Sequence, residues 1–420
     1  MEISSTSVSF SFFIIFLSIT TIFPSMVITS TSVAKPKPLT LNLVHSNLVL
    51  SENDDMLFKA KSYNDDFLFN LSPVENGLMF VNLSIGDPPL QQLAVLDTGN
   101  ARFWLLCFPC QGCHEITSPI FTTSRSKTYT QLPCNDRCRN VTNIKCKSPD
   151  SCPFQGGYAV GPIANGVFAT EQLTLGTSDE GIRIVSDVLF GCANKNFHDR
   201  IRDSRFNGVF GLGYYRDSLA KRLGSKFSYC VGNVNDPNYP YSQLLLGDGI
   251  KFEGHPIPMV PGGVYRDSLQ SISIGGEKLA IRAHTAVIDT GTLVTRLANG
   301  YFTTIKREIQ TSLDELGLSE ISYYNNNVQL CYSGSIEKDL VGFPVVRLQF
   351  ANNGALELER HSLFYVGEWG DDSFCLAMTP SIDRDMTIIG LMAQQHYSMG
   401  FDIDNERLYV QKIDCEYYRE

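Results

Sequence analysis

The chain has 420 residues, of which 43% are hydrophobic and 19% charged, so it can bury two sizeable cores and is expected to form two or three domains. Its formal net charge of −10 excludes the basic surface that nucleic-acid binders carry, and we expect no nucleic-acid partner. The 11% aromatic residues, 33 Gly and 19 Pro favour a mostly β fold with many turns over a helical bundle.

The N-terminal 34 residues are predicted to be a signal peptide. They contain no Lys or Arg, carry an apolar run over Phe10–Phe23 and end in the small residues Ser32–Ala34, which predicts cleavage near Ala34 and secretion. Because a basic first region is missing, a signal anchor is the alternative. No other stretch reaches the 18 to 20 apolar residues of a membrane span, so we expect no stable membrane anchor.

The composition of the sequence changes near residue 76, which marks the predicted start of the folded part of the chain. Residues 35–75 are polar and irregular, with acidic pairs at 54–55 and 65–66, and are predicted to be a propeptide. From Gly77 onward short β-rich runs alternate with Gly and Pro turns. We expect an N-terminal lobe over 76–250 and a C-terminal lobe over 251–420.

Twelve cysteines, all after the signal peptide, indicate disulfides formed in an oxidising compartment. The spacing Cys107-x-x-Cys110-x-x-Cys113 also suits zinc, but no matching histidine pair follows, and we predict disulfides and no metal. Glycosylation is predicted at the sequons of Asn70, Asn82 and Asn140. The other cysteines are Cys134, Cys138, Cys146, Cys152, Cys192, Cys230, Cys331, Cys375 and Cys415.

One sequence motif occurs twice, far apart in the chain, and we call this recurrence the sequence echo. The run Ala94–Gly99, ending in Asp-Thr-Gly, recurs as Ala286–Gly291, and each half also contains an apolar-apolar-Gly element, at 209–211 and 388–390. The simplest interpretation is two similar lobes, each presenting one aspartate, Asp97 or Asp289, from a loop that follows a strand.

A single Asp-Thr-Gly is weak evidence, because all three residues are common in turns. Two copies in matched contexts are specific: the glycine permits a tight turn, and the threonine can hydrogen-bond to the opposite loop. Two carboxylates brought face to face around one water cannot both ionise at low cost, so they share a proton. One then acts as base and the other as acid.

At these motifs the sequence resembles the pepsin-like aspartic proteases, from about Gly77 to Cys415, and within them the plant nepenthesin-like subgroup. The resemblance also includes Trp104, Tyr158, residues 206–213, 226–230, 388–390, 394–395 and 400–402, and the ending at 414–415.

The resemblance implies a bilobal fold of two β-rich lobes with a central active-site cleft and a hairpin flap. Asp97 and Asp289 would be catalytic, Tyr158 and Val160 would lie in the flap, and Trp104 would donate a hydrogen bond to Tyr158 from beneath it. The alternative for both aromatic residues is an ordinary core position. The supporting residues would be Thr98, Gly99, Asn100, Thr290, Gly291 and Thr292.

The same resemblance implies a disulfide pairing that spacing alone leaves open. It pairs residues 107–110, 113–192, 134–152, 138–146, 230–415 and 331–375.

Two positions depart from the family pattern. Asn100 stands where the family has Ser, and its amide carries donors on a longer arm. The flap reads Tyr158-Ala159-Val160-Gly161-Pro162 instead of Tyr-Gly-Asp-Gly-Ser, which removes two polar side chains and one backbone donor.

We therefore expect a secreted aspartic endopeptidase, made as a zymogen, that cleaves protein or peptide substrates in acid without a cofactor. It would be a monomer in the cell-wall space (apoplast), with the vacuole as the alternative. A second hypothesis is a weakened binding protein on the same fold, like plant xylanase inhibitors. A third, a purely structural disulfide-rich glycoprotein, predicts no paired carboxylates.

Overall fold

The computed structural model of the chain describes most of the sequence after residue 65. The described residues are 66–73, 77–113, 116–158, 161–177, 181–196, 205, 207–215, 217–234, 236, 239–260, 262, 264–321, 330–367, 370–382 and 386–418. The predicted signal peptide and residues 35–65 of the predicted propeptide lie outside them.

Strands dominate the first lobe, residues 66–250. Its elements are β1 (Asp66–Pro73), β2 (Met79–Ile85), β3 (Leu90–Asp97), β4 (Trp104–Gln111), β5 (Phe121–Thr122), β6 (Thr130–Gln131), α1 (Asp136–Val141), β7 (Pro153–Tyr158), β8 (Gly161–Gly176), β9 (Ile182–Asn196), β10 (Gly208–Gly211), α2 (Leu219–Arg222), β11 (Lys226–Cys230) and β12 (Gln243–Gly247).

The second lobe, residues 251–418, adds one long helix to a similar set of strands. Its elements are β13 (His255–Pro258), β14 (Arg266–Ile274), β15 (Glu277–Lys278), β16 (His284–Ile288), β17 (Thr295–Leu297), α3 (Asn299–Glu315), β18 (Cys331–Ser333), α4 (Ile336–Asp339), β19 (Val346–Phe350), β20 (Ala355–Leu358), α5 (Arg360–Leu363), β21 (Phe364–Gly367), β22 (Gly370–Leu376), β23 (Met378–Pro380), β24 (Thr387–Ile389), β25 (Tyr397–Asp402) and β26 (Arg407–Lys412).

One large sheet contains strands from both lobes. Its order is β13-β26-β25-β11-β12-β1-β2-β3-β10-β4-β9-β8-β6, with β5 and β7 at its side. The second lobe has its own sheet, β20-β19-β14-β16-β24-β17-β23 with β15, and a small sheet β18-β22-β21. The predicted mostly β fold is confirmed.

The strand before each Asp-Thr-Gly leads into the motif with three buried residues. Residues 94–96 of β3 and 286–288 of β16 are all buried, because each strand has neighbours on both edges and packed layers on both faces. β3 pairs in parallel with β10, and β16 pairs in parallel with β24. The two apolar-apolar-Gly elements therefore occupy equivalent places, as the sequence echo predicts.

Helix α3 shows how the pattern of apolar residues sets packing. Its buried side chains, Phe302, Ile305, Ile309 and Leu313, recur every three or four residues and so form one apolar face. The helix ends just before Gly317, whose φ of +74° is the left-handed conformation common after a helix C-terminus.

Strand β1 shows that the folded body begins earlier than Gly77. Residues 66–70 pair with 243–247 of β12, and residues 71–73 pair with 79–81 of β2, so β1 connects two parts of the shared sheet. The predicted start at Gly77 is therefore too late. Where a propeptide would be cleaved stays a prediction.

All twelve cysteines are in disulfides, and two of the six expected pairs, 230–415 and 331–375, are confirmed. The other four expected pairs are wrong in the structure, where partners are exchanged to give 107–192, 110–113, 134–146 and 138–152.

Strand and helix packing explain both exchanges. In the parallel pairing of β4 with β9, Cys192 lies opposite Leu105, which brings it within 5.4 Å (Cα–Cα) of Cys107. Cys138 on α1 is buried, as is its partner Cys152, whereas Cys134 and Cys146 are both partly exposed. Each disulfide therefore joins two cysteines of similar burial.

The cysteine-rich insertion also brings three sulfurs into a spacing that a metal could use. Those of Cys134, Cys138 and Cys146 lie within 4.8 Å of one another, but each belongs to a disulfide, and a metal ligand must be a thiolate. Within the described part of the chain, no helix is long and apolar enough to cross a membrane.

Candidate active site

The structure brings the two Asp-Thr-Gly loops together. Asp97 is the last residue of β3, and Asp289 directly follows β16. The amide of Thr98 donates to Thr290 Oγ1, and the amide of Thr290 donates to Thr98 Oγ1, both at 3.0 Å. The reciprocal bonds fix the two loops against each other, as expected for threonines that reach across.

The same two hydroxyl groups also donate to backbone. Thr98 Oγ1 donates to the carbonyl of Ile288, and Thr290 Oγ1 donates to the carbonyl of Leu96, both at 3.0 Å. Both threonines are fully buried, so water cannot replace these four hydrogen bonds when they are broken. Their loss should therefore lower the free energy of unfolding.

The glycines allow the carboxylates to approach closely. Each glycine amide donates to its own loop's carboxylate, Gly99 to Asp97 at 2.9 Å and Gly291 to Asp289 at 2.8 Å. A Cβ on Gly99 would lie 2.5 Å from Asp289 Oδ1, and one on Gly291 would lie 2.5 Å from Asp97 Oδ1. Any side chain at either position would collide with the opposite carboxylate.

Burial raises the pKa of Asp97 well above its usual range, and the nearby charge of Asp289 raises it further. The hydrogen bonds from the backbone amides of Gly99 and Asn100 act in the opposite direction and are outweighed. Asp97 is only 1% exposed, whereas Asp289 is partly exposed. Of the two carboxyls, Asp97 is thus held in surroundings that favour the neutral form.

The residue after each glycine differs between the loops. Thr292 Oγ1 donates to Asp289 Oδ2 at 2.7 Å. Asn100 makes no corresponding bond: its Oδ1 accepts from the amide of Arg102 at 3.1 Å, and its Nδ2 points to the carbonyl of Gly157 at 3.5 Å. The predicted supporting residues are therefore at the site, but Asn100 faces the flap strand.

A second layer of residues supports the loops from behind. The amide of Leu212 donates to the Asp97 carbonyl at 3.0 Å, and Leu212 in turn accepts from the hydroxyl of Tyr265 at 2.5 Å. Behind the other loop, Gln394 Nε2 lies 3.4 Å from the Asp289 carbonyl and its Oε1 accepts from Tyr229. Residues 226–230 and 394–395 carried part of the family resemblance, but their supporting role did not follow from it.

The predicted flap is an antiparallel hairpin of β7 and β8, in which Tyr158 pairs with Gly161. Ala159 and Val160, at its tip, lie outside the described residues, as does the side chain of Tyr158. The predicted contact between Tyr158 and Trp104 therefore stays a prediction.

Trp104 lies under the flap strand. Its indole is fully buried, its ring centroid is 6.2 Å from that of Phe154 in β7, and a Cβ on Gly156 would be 3.1 Å from the indole. Trp104 thus packs against β7.

The predicted glycosylation sites differ in what the structure describes of them. Asn82 on β2 and Asn140 on α1 are exposed, as modification requires. The side chain of Asn70, in β1, lies outside the described residues.

Sequence reasoning missed Asp267 on β14. It is 2% exposed, and neither carboxylate oxygen has a hydrogen-bond partner among the described residues. Burial raises the pKa of Asp267 to about 8. Its signal in the sequence was weak, because a single acidic residue in a β run does not show which strand it will face.

Two surface grooves lie beside α2. Their volumes are about 380 and 350 Å³, and both have Arg222 in their lining. Neither is lined by Asp97 or Asp289, so the site is defined by the dyad and not by these grooves.

Comparison with known proteins agrees with this architecture. Residues 79–248 match the family described as Xylanase inhibitor N-terminal, and residues 264–412 match Xylanase inhibitor C-terminal. Aspartyl protease UND of Arabidopsis thaliana is 28% identical, covering 91% of this chain and 95% of its own. Aspartic proteinase nepenthesin-2 of Nepenthes gracilis is 27% identical, covering 79% and 76%.

A solved structure confirms the fold. The crystal structure of edgp superposes with a TM-score of 0.68 at 13% identity, covering 84% of this chain and 96% of that one. Together with the two family matches, this structural similarity establishes two β-rich lobes in a bilobal pepsin-like fold. The chain belongs to the pepsin-like aspartic protease family, and within it to the plant nepenthesin-like subgroup.

Proposed function

We propose that this chain is a secreted aspartic endopeptidase that hydrolyses peptide bonds in acid by means of Asp97 and Asp289. The observation that carries the proposal is the reciprocal hydrogen bonding of Thr98 and Thr290, which holds two carboxylates face to face. Because each loop is held in place by the other, the two carboxylates are positioned together. A reaction that uses both carboxylates requires this arrangement.

The chemistry follows from one proton shared by two acids. The ionised carboxylate takes a proton from water, whose oxygen then attacks the peptide carbonyl carbon, while the protonated carboxyl gives its proton to the carbonyl oxygen. Since the pair must hold one proton, activity should be lost when both carboxyls are protonated and when both are ionised. An acidic optimum is the expected result.

Secretion and a monomeric state are further parts of the proposal. The apolar N-terminus and twelve disulfide-bonded cysteines support an oxidising, extracellular compartment such as the cell-wall space, with the vacuole as the alternative. Protein or peptide substrates are the expected partners.

The test is peptide hydrolysis by purified, acid-treated protein over a range of pH, with and without pepstatin. Asp97→Asn and Asp289→Asn should each lower kcat/KM at least about a thousandfold, because neither carboxylate can replace the other. Asp150→Asn, at an exposed position, is the matched control and should keep full activity. Substantial cleavage by either dyad variant would contradict the proposed role of that residue.

A binding function is the second candidate, and two observations favour it. The matched family models are described as xylanase inhibitor domains, and Asn100 does not support Asp97 as Thr292 supports Asp289. If the wild-type protein cleaves no peptide at any pH but inhibits a xylanase or another glycosidase, the binding function replaces the protease.

A further inference from the structure

The two catalytic loops differ in the side-chain donors that reach each carboxylate. Both oxygens of Asp289 accept a hydrogen bond, Oδ1 from the amide of Gly291 and Oδ2 from the hydroxyl of Thr292. Asp97 Oδ1 accepts from the amide of Gly99. The backbone amide of Asn100 also favours the ionised form of Asp97, but no side-chain N–H or hydroxyl of the described residues donates to the buried Asp97 Oδ2.

Asn100 is the cause of this difference, because its side chain is held in another direction. The bond from the Arg102 amide to Asn100 Oδ1, at 3.1 Å, closes a local turn of the kind that Asn favours. With its oxygen fixed there, the NH₂ group points to the Gly157 carbonyl in β7. Both ends of the amide are directed away from Asp97.

Other polar and charged groups near the loops do not supply the missing donor. The Arg102 guanidinium lies 4.1 Å from the Tyr215 ring centroid, and its Nη2 donates to the Val141 carbonyl. The hydroxyls of Tyr265 and Tyr229 donate to Leu212 and Gln394. Among the described groups, Asp289 is the charge that acts on Asp97.

Donors stabilise the ionised form of a carboxyl, whereas burial without donors favours the neutral form. We propose that Asn100 is a positioning residue that assigns the shared proton to Asp97, so that Asp97 is the acid and Asp289 the base. This inference rests on the proposed protease function and deepens it. The burial-raised pKa of Asp97 agrees with the assignment.

The assignment gives a balanced sequence of proton transfers. Asp289 takes a proton from water as the water oxygen bonds to the carbonyl carbon, and Asp97 gives its proton to the carbonyl oxygen. In the second step Asp289 passes its proton to the amide nitrogen, the C–N bond breaks, and Asp97 takes back a proton from one hydroxyl of the former carbonyl carbon. The dyad ends as it began, with the proton on Asp97.

The test compares two variants by the pH profile of kcat/KM. Asn100→Ser places at the first loop a hydroxyl like that of Thr292 and should lower the pKa of the alkaline limb by about one unit, the size of one hydrogen bond to a charged group. Thr292→Ala removes the donor to Asp289 and should raise the pKa of the acidic limb by a similar amount. Thr311→Ala, at an exposed position of α3, is the matched control and should leave the wild-type profile unchanged.

A second measurement makes the inference independent of activity. Carboxyl ¹³C NMR titration of Asp97 and Asp289, each assigned by its Asn variant, reports which carboxyl keeps its proton as the pH rises. Asp97 should lose its proton last in the wild-type protein. A later loss by Asp289, or an Asn100→Ser variant whose alkaline limb does not move, would overturn the assignment. Absence of any wild-type cleavage would instead refute the proposed function and leave the NMR result to decide the location of the proton.

Discussion

The Asp97 loop and the Asp289 loop share one backbone arrangement but differ in the groups that reach their carboxylates. The threonine and glycine bonds are the same in both, within 0.1 Å for each equivalent pair. The fourth residue differs: Thr292 donates to its carboxylate, and Asn100 is turned to the flap strand. The shared bonds set position, and the unshared bond sets which carboxyl is more easily ionised.

The strands behind the two loops differ in the residue that lies opposite the alanine of each repeated run. In the first lobe Val81 of β2 lies opposite Ala94 of β3, and in the second lobe Asp267 of β14 lies opposite Ala286 of β16. Val81 and Asp267 are both buried, but only the valine suits an apolar site. The second lobe thus holds an acid where the first holds a hydrocarbon side chain.

The two differences show that internal symmetry can be kept by backbone bonds while side chains diverge. Each lobe can then serve as the reference for the equivalent position in the other lobe. Each substitution below replaces a residue in one lobe and asks whether the other lobe responds in the same way.

Among the substitutions that compare the two lobes, those at the glycines should have the largest effect. Gly99→Ala and Gly291→Ala each place a Cβ 2.5 Å from a carboxylate oxygen of the opposite loop, closer than non-bonded atoms can approach. Displacement of a catalytic carboxylate by even a fraction of an ångström lowers activity, so kcat/KM should fall at least about a hundredfold. Peptide hydrolysis at the wild-type optimum measures this loss.

Gly300→Ala is the matched control, because a Cβ at Gly300 on α3 meets no atom within 4 Å. It should retain wild-type activity. If one of the two loop variants also stays active, that loop can shift without affecting the dyad, and the equivalence of the loops fails.

Asp267→Val, which copies the first lobe, should produce the next largest effect. Because the folded-state pKa of Asp267 is about 8 and the unfolded value about 4, the folded protein binds more protons between these values. Its free energy of unfolding must fall as the pH rises from about 4 to 8. Removal of the carboxyl should stabilise the protein at pH 7 by about 4 kcal/mol, and by little at pH 4.

Urea unfolding from pH 4 to pH 8 measures this difference between wild type and variant. Asp267→Asn separates charge from polarity: it should remove the same pH dependence but leave an unpaired buried amide, and therefore stabilise less at pH 7. Parallel curves for wild type and Asp267→Val would show that Asp267 does not titrate in this range.

The dyad could be predicted from the sequence because it depends on a local pattern that occurs twice. Ala94–Gly99 and Ala286–Gly291 are nearly identical, and two equal strand ends meet naturally in equal lobes. The hairpin flap, and the place of Trp104 beneath it, were implied by the family resemblance and not by the residue pattern alone. The mostly β architecture followed from short apolar runs and turn residues.

The remaining features depend on contacts between distant segments. Partners of Cys107 and Cys138 are decided by the register of β4 on β9 and by the buried face of α1, which spacing does not encode. Strand β1 was missed because its pairing needs β12, far along the chain. The burial of Asp267 depends on the register of β14 on β16, which the repeated run at 94–99 and 286–291 does not encode.

The smallest expected effect concerns the bonds that the two loops share. Thr98→Val and Thr290→Val keep the side-chain shape but remove one hydroxyl, which leaves a buried amide and a buried carbonyl unpaired. Each should lower the free energy of unfolding by about 2 kcal/mol. The two losses should be equal, because each hydroxyl makes the same pair of bonds.

The double variant decides whether these bonds form one unit. Since Thr98 and Thr290 hold the same two loops together, loss of the first hydroxyl should loosen the contact that the second supports, and the combined loss should be smaller than the sum. Urea unfolding of both single variants and the double variant gives this coupling, with Thr311→Val on the exposed side of α3 as a control of the same chemical change. Additive losses would mean that each loop is held by its own lobe, and unequal losses would show that the asymmetry at Asn100 and Thr292 extends to the backbone.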